Sequence, residues 1–204
     1  MNVPEVLFAS MDKVDGQNNF LLRLEDTMKK AGFLDEIKSG DRVLIKTHFG
    51  QVGNMRYLRP AIVRKVVDLV RERGAEPVLG ETTGLGFGSG GLYGGRTTMD
   101  SYLTMAAYNG FTMGTMNAPI IMLDGQYGVD TFDYYINGEY VEKVAVARGM
   151  LGFDKIIILT HAKGHGIAGL GGAIKNIGIG CVGKYSKAVG HSDLDIKVNE
   201  EKCI

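Results

Sequence analysis

Residues 42 to 80 read as strand, helix, strand, and that succession constrains the fold more than any other part of the chain. Arg42-Val43-Leu44-Ile45-Lys46-Thr47 is a short apolar run after the turn Ser39-Gly40-Asp41. Pro60 then stands at the first position of a helix whose Ile62, Val63, Val66, Val67 and Val70 make one apolar stripe, and Gly74 ends it. Pro77-Val78-Leu79-Gly80 opens the next strand. A helix between two strands is the unit of a parallel sheet. The spacing therefore predicts an α/β fold in which His48 and the Glu81-Thr82-Thr83 segment emerge at one edge.

The rest of the chain extends this pattern. Phe20, Leu21, Leu24, Met28 and Ala31 recur at helical spacing, with Asn18 or Asn19 as N-cap and Gly32 as a stop. Another helix starts after Thr97 or Thr98, carries Met99, Tyr102, Leu103, Ala106 and Ala107, and closes at Gly110. Pro119 to Leu123 reads as a buried strand. Between Thr131 and Ala147 the periodicity falls to two, and Asn137-Gly138, set between Tyr135-Ile136 and Glu139-Tyr140-Val141, predicts a β-hairpin. Lys155-Ile156-Ile157-Ile158-Leu159-Thr160 is the most apolar strand candidate, short and continuous as a central parallel strand is expected to be. Gly84 to Gly95 is mostly glycine and reads as a mobile loop or a lid. The expectation is a mostly parallel sheet with helices on both faces and a flanking hairpin, in one domain over residues 1–195 with 196–204 as a connector.

Composition excludes some functional classes. A chain of 204 residues buries one full core. Its 23 basic and 23 acidic residues balance, which removes the electrostatic footprint of a general nucleic-acid binder. No segment approaches the roughly 18 apolar residues that span a bilayer, and the N-terminus has no basic region followed by an apolar run. No membrane and no nucleic-acid partner are expected, and the location expected is cytoplasmic. At this size the two cysteines, Cys181 and Cys203, need not pair, and Cys181 reads as a small buried hydrophobe.

Residues able to carry chemistry gather after the most apolar strand. His161 and His165 are four apart, a spacing that lets two imidazoles share a metal on a helix face, although Gly164 and Gly166 place the pair in a loop instead. One histidine bonded to backbone and the other exposed is the plainer alternative. His48 reaches the same edge on its own strand and joins them as a candidate for catalysis. Gly169, Gly171 and Gly172 before Ala173 look like the entrance to an anion-binding helix, to which Lys175 adds a point charge. Close packing of helix on strand, with a solvent-directed lysine, is the alternative there. The glycine spacing fits neither the dinucleotide fingerprint nor the P-loop. Arg56 and Arg59 are candidates to clamp a carboxylate or phosphate, ranked below the histidines because plain surface arginines are the alternative, and Asp193 is a candidate to orient His191 or close a turn with it. No serine has a nucleophile-elbow context and Cys181 has no adjacent base, so acyl transfer is not expected.

Several of these segments resemble a known family. Lys46-Thr47-His48-Phe49-Gly50, Arg59-Pro60, His161-Ala162-Lys163-Gly164-His165, Gly171-Gly172-Ala173-Ile174-Lys175-Asn176, Gly190-His191-Ser192 and Val198-Asn199-Glu200-Glu201-Lys202-Cys203-Ile204 resemble domain of unknown function 362, often found in iron-sulfur proteins. The resemblance runs along nearly the whole chain. It implies the α/β domain of an iron-sulfur redox protein, with His48, His161, His165 and Lys175 as catalytic candidates. Gly169, Gly171, Gly172, Lys175 and Asn176 become cofactor-binding candidates, and His161, His165 and Cys203 metal candidates. In many members the segment matching Lys202-Cys203-Ile204 continues into a C-x-x-C-x-x-C ferredoxin module. Here the sequence stops after the first cysteine, which alone cannot hold a 4Fe-4S cluster. The cluster and its electron transfer are then expected on a ferredoxin-like module in cis or in trans, and the crevice itself is expected to take a metal ion or an anionic small molecule. Gly171-Gly172-Ala173-Ile174-Lys175 also resembles a glycine pair and basic residue in the N-terminal domain of nickel-pincer lactate racemases. That makes Lys175 a candidate cofactor anchor, though the second domain of those enzymes has no counterpart here. A binding or assembly module without catalysis is the further alternative.

Overall fold

The computed structural model describes residues 6–85, 95–166 and 168–190. In chain order the strands are β1 (Arg42–Lys46), β2 (Glu76–Glu81), β3 (Ile120–Met122), β4 (Thr131–Tyr135), β5 (Lys143–Ala147), β6 (Lys155–Ile158), β7 (Lys163–His165) and β8 (Gly169–Gly171). The helices are α1 (Phe20–Lys30), α2 (Pro60–Glu72), α3 (Met99–Tyr108), α4 (Met113–Met116), α5 (Ala173–Gly178) and α6 (Lys184–Val189). Their starts follow local chemistry. Asn19 accepts from the N–H groups of Leu21 and Leu22 to cap α1, Pro60 opens α2, and Thr98 caps α3 in a capping box with Ser101. Gly32, Gly74 and Gly110 follow the ends of α1, α2 and α3 at positive φ, where other residues are strained.

The central sheet has the order β3-β2-β1-β6 and all its pairs are parallel, as the strand, helix, strand succession requires. Alternation along β1 sorts the core. Val43 and Ile45 pack with Leu79 and with Val63, Val66, Val67 and Val70 of α2, joined by Tyr102, Met105 and Ala106 of α3. Leu44 faces the other way, onto Leu123 and Ala147, with Met150 and Phe153 beside them. The 3-10 turn Arg148–Gly152 and the β4–β5 hairpin thus cover what helices α2 and α3 do not.

Two expectations need correction. The run at 155–160 forms an edge strand of the described sheet, not a central one, and Ile156 on it is 46% exposed. Apolar continuity shows that a strand is hydrophobic, but its place in the sheet is decided by its neighbours. The hairpin pairs Tyr135 with Lys143, so Glu139-Tyr140-Val141 lies in the connecting loop and does not face Tyr135-Ile136 across a two-residue turn. Asn137 takes φ 48°, and the N–H groups of Ile136 and Asn137 both donate to Glu142 O, which closes the loop further along. Residues 86–94 make up most of the Gly84 to Gly95 segment expected as a loop or lid, and residues 191–204 hold His191, Asp193 and the whole 196–204 connector with Cys203. Both lie outside the described residues. Among the described residues no helix is long and apolar enough to cross a membrane.

Candidate functional site

Parallel strands deliver their following residues to one edge, and a crevice of about 390 Å³ opens there. After β1 come Thr47 and His48, and β2 ends in Glu81 with Thr82 and Thr83 behind it. Leu159, Thr160 and His161 follow β6, α3 contributes Tyr102, and the segment from β7 to α5 contributes Lys163, His165, Gly171, Gly172, Lys175 and Asn176.

Two buried ion pairs brace this edge. Lys46, fully buried at the end of β1, sits with its Nζ 2.6 Å from Glu81 Oε1 and donates to Asn176 Oδ1 at 2.7 Å. Asn176 in turn donates from Nδ2 to Thr160 Oγ1 at 2.8 Å, so one chain of polar contacts ties β1, β2, α5 and the exit of β6. Lys187 of α6 donates from Nζ to Thr82 Oγ1 at 2.7 Å and to the Thr83 carbonyl, with Asp124 Oδ2 3.7 Å away. Asp124 accepts from the Thr83 N–H at 2.9 Å and from the Thr83 hydroxyl at 2.8 Å. Burial pushes the Lys187 pKa down to about 8 against the pull of Asp124, and burial raises that of Asp124. Charges this deep persist only when paired and hydrogen-bonded.

The mouth is different in kind. Arg56, Arg96, Lys163 and Lys175 all line it, Lys187 lies at its base, and among the described lining residues Glu81 is the one carboxylate, already held by Lys46. Arg56, Lys163 and Lys175 have no carboxylate partner among the described residues. Burial lowers the Lys175 pKa, and the nearby charges of Lys163 and Arg96 lower it further. His48 is pushed down to about 3 by desolvation, then by Arg96, Lys46, Lys163 and Lys175, so its imidazole is neutral. The residue keeps solvent contact through the open crevice, and the four cations alone would give the same direction. A chain without net charge has concentrated positive potential in one concave place.

The crevice brings together His48, His161, His165, Lys175, Gly171, Gly172 and Asn176, while Gly169, at φ 68° on β8, is outside its lining. The Asn176 amide is engaged at both ends by protein groups. His161 is exposed and His165 ends β7, its Nδ1 accepting from the Ala168 N–H at 3.0 Å. Among the described residues no group of three or more His, Cys, Asp or Glu is placed to hold a metal ion. Helix α5 has six residues and no side-chain cap, too short for a strong dipole, so positive potential in the crevice comes from side chains. A methyl on Gly172 would meet nothing within 4 Å, so close packing does not explain that glycine. Arg56 lines the crevice, whereas Arg59 is the N-cap residue of α2 and lies outside the lining. Cys181 is buried and free, as its apolar surroundings suggested. Sequence reasoning missed Arg96, Tyr102 and Lys187 as site residues. Tyr102 read as one more apolar helix position, and nothing local marks the other two.

Residues 43–200 match the family described as Domain of unknown function (DUF362). The chain belongs to the DUF362 family. The match begins in β1 and takes in every segment that builds the crevice. Over 175 residues the chain is 25% identical to the Thylakoid-associated protein sll1697 of Synechocystis sp., an alignment covering 83% of this chain and 48% of that relative. The chain thus spans about half the length of the curated relative it matches. No solved structure matches the DUF362 chain significantly.

Proposed function

We propose that this DUF362 domain holds a small anionic molecule, bearing a phosphate or carboxylate, in the crevice at the carboxyl edge of its sheet. The observation that carries this reading is the charge of the lining: Arg56, Arg96, Lys163 and Lys175 against, among the described residues, Glu81 alone, which Lys46 already neutralises, while Lys187 is paired with Asp124. Unpaired cations in a concave site lose solvation and repel each other, and an anion relieves both. A volume of about 390 Å³ suits a metabolite-sized ligand.

The redox setting is supported by the family resemblance, with a ferredoxin-like module in cis or in trans supplying electrons to the molecule held here. The two cysteines of the chain do not make a cluster's ligand set, so iron and sulfide would be held by that module. Calorimetric titration with inorganic phosphate and with malonate tests the crevice. Binding that weakens about tenfold in Lys163→Gln and in Lys175→Gln supports the reading, and failure of both anions to bind the wild-type chain overturns it.

A further inference from the structure

His48 makes a demand that the protein alone does not meet. Its Nδ1 accepts a hydrogen bond from the Gly50 N–H at 2.8 Å, which leaves the proton of the neutral imidazole on Nε2. That Nε2 nevertheless faces Arg96 Nη1 at 2.5 Å. A guanidinium nitrogen has hydrogens to give and accepts none, so two donors point at each other across the crevice. A third unused donor stands beside them. Among the described residues the Tyr102 hydroxyl is buried without a hydrogen-bond partner, on a side chain 1% exposed and a ring set edge-on to His48 with centroids 6.4 Å apart. Burial, then Glu81, push its pKa well above the usual value and keep the hydroxyl protonated; Arg96 and the Phe49 backbone pull the other way without making a hydrogen bond of ordinary geometry with it. A buried hydroxyl left without a partner is costly, so this is an arrangement awaiting an acceptor.

We propose that His48, Arg96 and Tyr102 form an oxyanion subsite, in which one anionic oxygen of the ligand accepts from the His48 Nε2–H, the Arg96 guanidinium and the Tyr102 hydroxyl together. Arg96 draws back along its flexible stem to admit that oxygen. The shared chemistry is an oxygen carrying negative charge with several lone pairs, as carboxylates and phosphates present. Thr47, 1% exposed and lining the same crevice, has a hydroxyl that is also without a partner among the described residues, which gives a second polar atom of the ligand a place in the crevice. Lys163 and Lys175 then supply field at the mouth, while the three donors fix orientation. The inference rests on the crevice binding an anion and adds where its charged oxygen sits.

The test uses inorganic phosphate and malonate as probes, with wild type, Tyr102→Phe, Arg96→Gln and Lys163→Gln compared by calorimetry. Tyr102→Phe removes only the hydroxyl and keeps the ring. Expected is a loss of about tenfold or more for the bound probe in both Tyr102→Phe and Arg96→Gln, and the probe that binds tells carboxylate from phosphate. On the wild-type chain, nitrogen-15 shifts of His48 in the saturated protein should show Nε2 protonated and Nδ1 bare. Unchanged affinity in Tyr102→Phe and Arg96→Gln, with loss in Lys163→Gln, would put the anion on the lysines and sink the subsite while the crevice reading survives. A saturated His48 protonated on Nδ1 would sink it too. Failure of both probes to bind wild type overturns both readings.

Discussion

A lysine at the end of a buried strand survives only with a partner, and Lys46 has one in Glu81. Glu81→Gln leaves the Lys46 ammonium buried with Asn176 as its remaining close partner, and urea unfolding should show a loss of about 3–5 kcal/mol. Lys46→Met together with Glu81→Leu should lose less than the two single changes added, because neither charge is then stranded. Lys187 gives the opposite kind of signature. Folding lowers its pKa to about 8 from the ordinary 10.5, so between those values the unfolded chain holds more protons and stability rises with pH. Below pH 8 the full desolvation penalty is present. The rise amounts to about 3 kcal/mol at the outside, and Lys187→Met should flatten it in chemical denaturation measured across that window.

Among the elements, those with local signals were legible and those set by partners were not. The stripe of α2, its proline start and glycine stop, and the cap of α3 are written in neighbouring residues, so their bounds could be read directly. The edge position of β6 depends on what lies beside it, and the length of the hairpin loop on where Glu142 accepts its bonds. The crevice divides in the same way. His48, His161, His165 and Lys175 were found because they follow strands or sit among glycines. Arg96 and Lys187 meet the others only through folding, across separations that no spacing rule covers. Lys46 and Glu81 left a faint signal, a charge of each sign at the ends of two predicted parallel neighbours. The turn after α5 shows how tight the bracing is: a methyl on Gly180 would lie 2.7 Å from Lys46 Nζ and overlap the Asn176 carbonyl. Gly180→Ala should cost about 1–3 kcal/mol, whereas Gly172→Ala, facing open space, should stay within about 0.5 kcal/mol, both read by urea midpoints.

At the scale of the molecule, zero net charge conceals a cationic crevice. Phosphate affinity should therefore fall severalfold as potassium chloride rises from about 0.05 to about 0.5 M, because the attraction is local and partly open to solvent. Titration calorimetry at the two salt concentrations checks this, and an unchanged affinity would mean that neutral contacts dominate. The walls of the crevice come from the exits of β1 and β6 and from β2, α3, β7, β8, α5 and α6, from Thr47 to Lys187 along the chain. Because no short stretch contains them, the binding-competent shape vanishes whenever the fold opens. Any occupant is then a reporter of the whole tertiary structure: at a hundred times its dissociation constant it adds about 2.7 kcal/mol of stability. A library of phosphorylated and carboxylated metabolites, screened for a rise in melting temperature, should single out the natural ligand before any reaction is known.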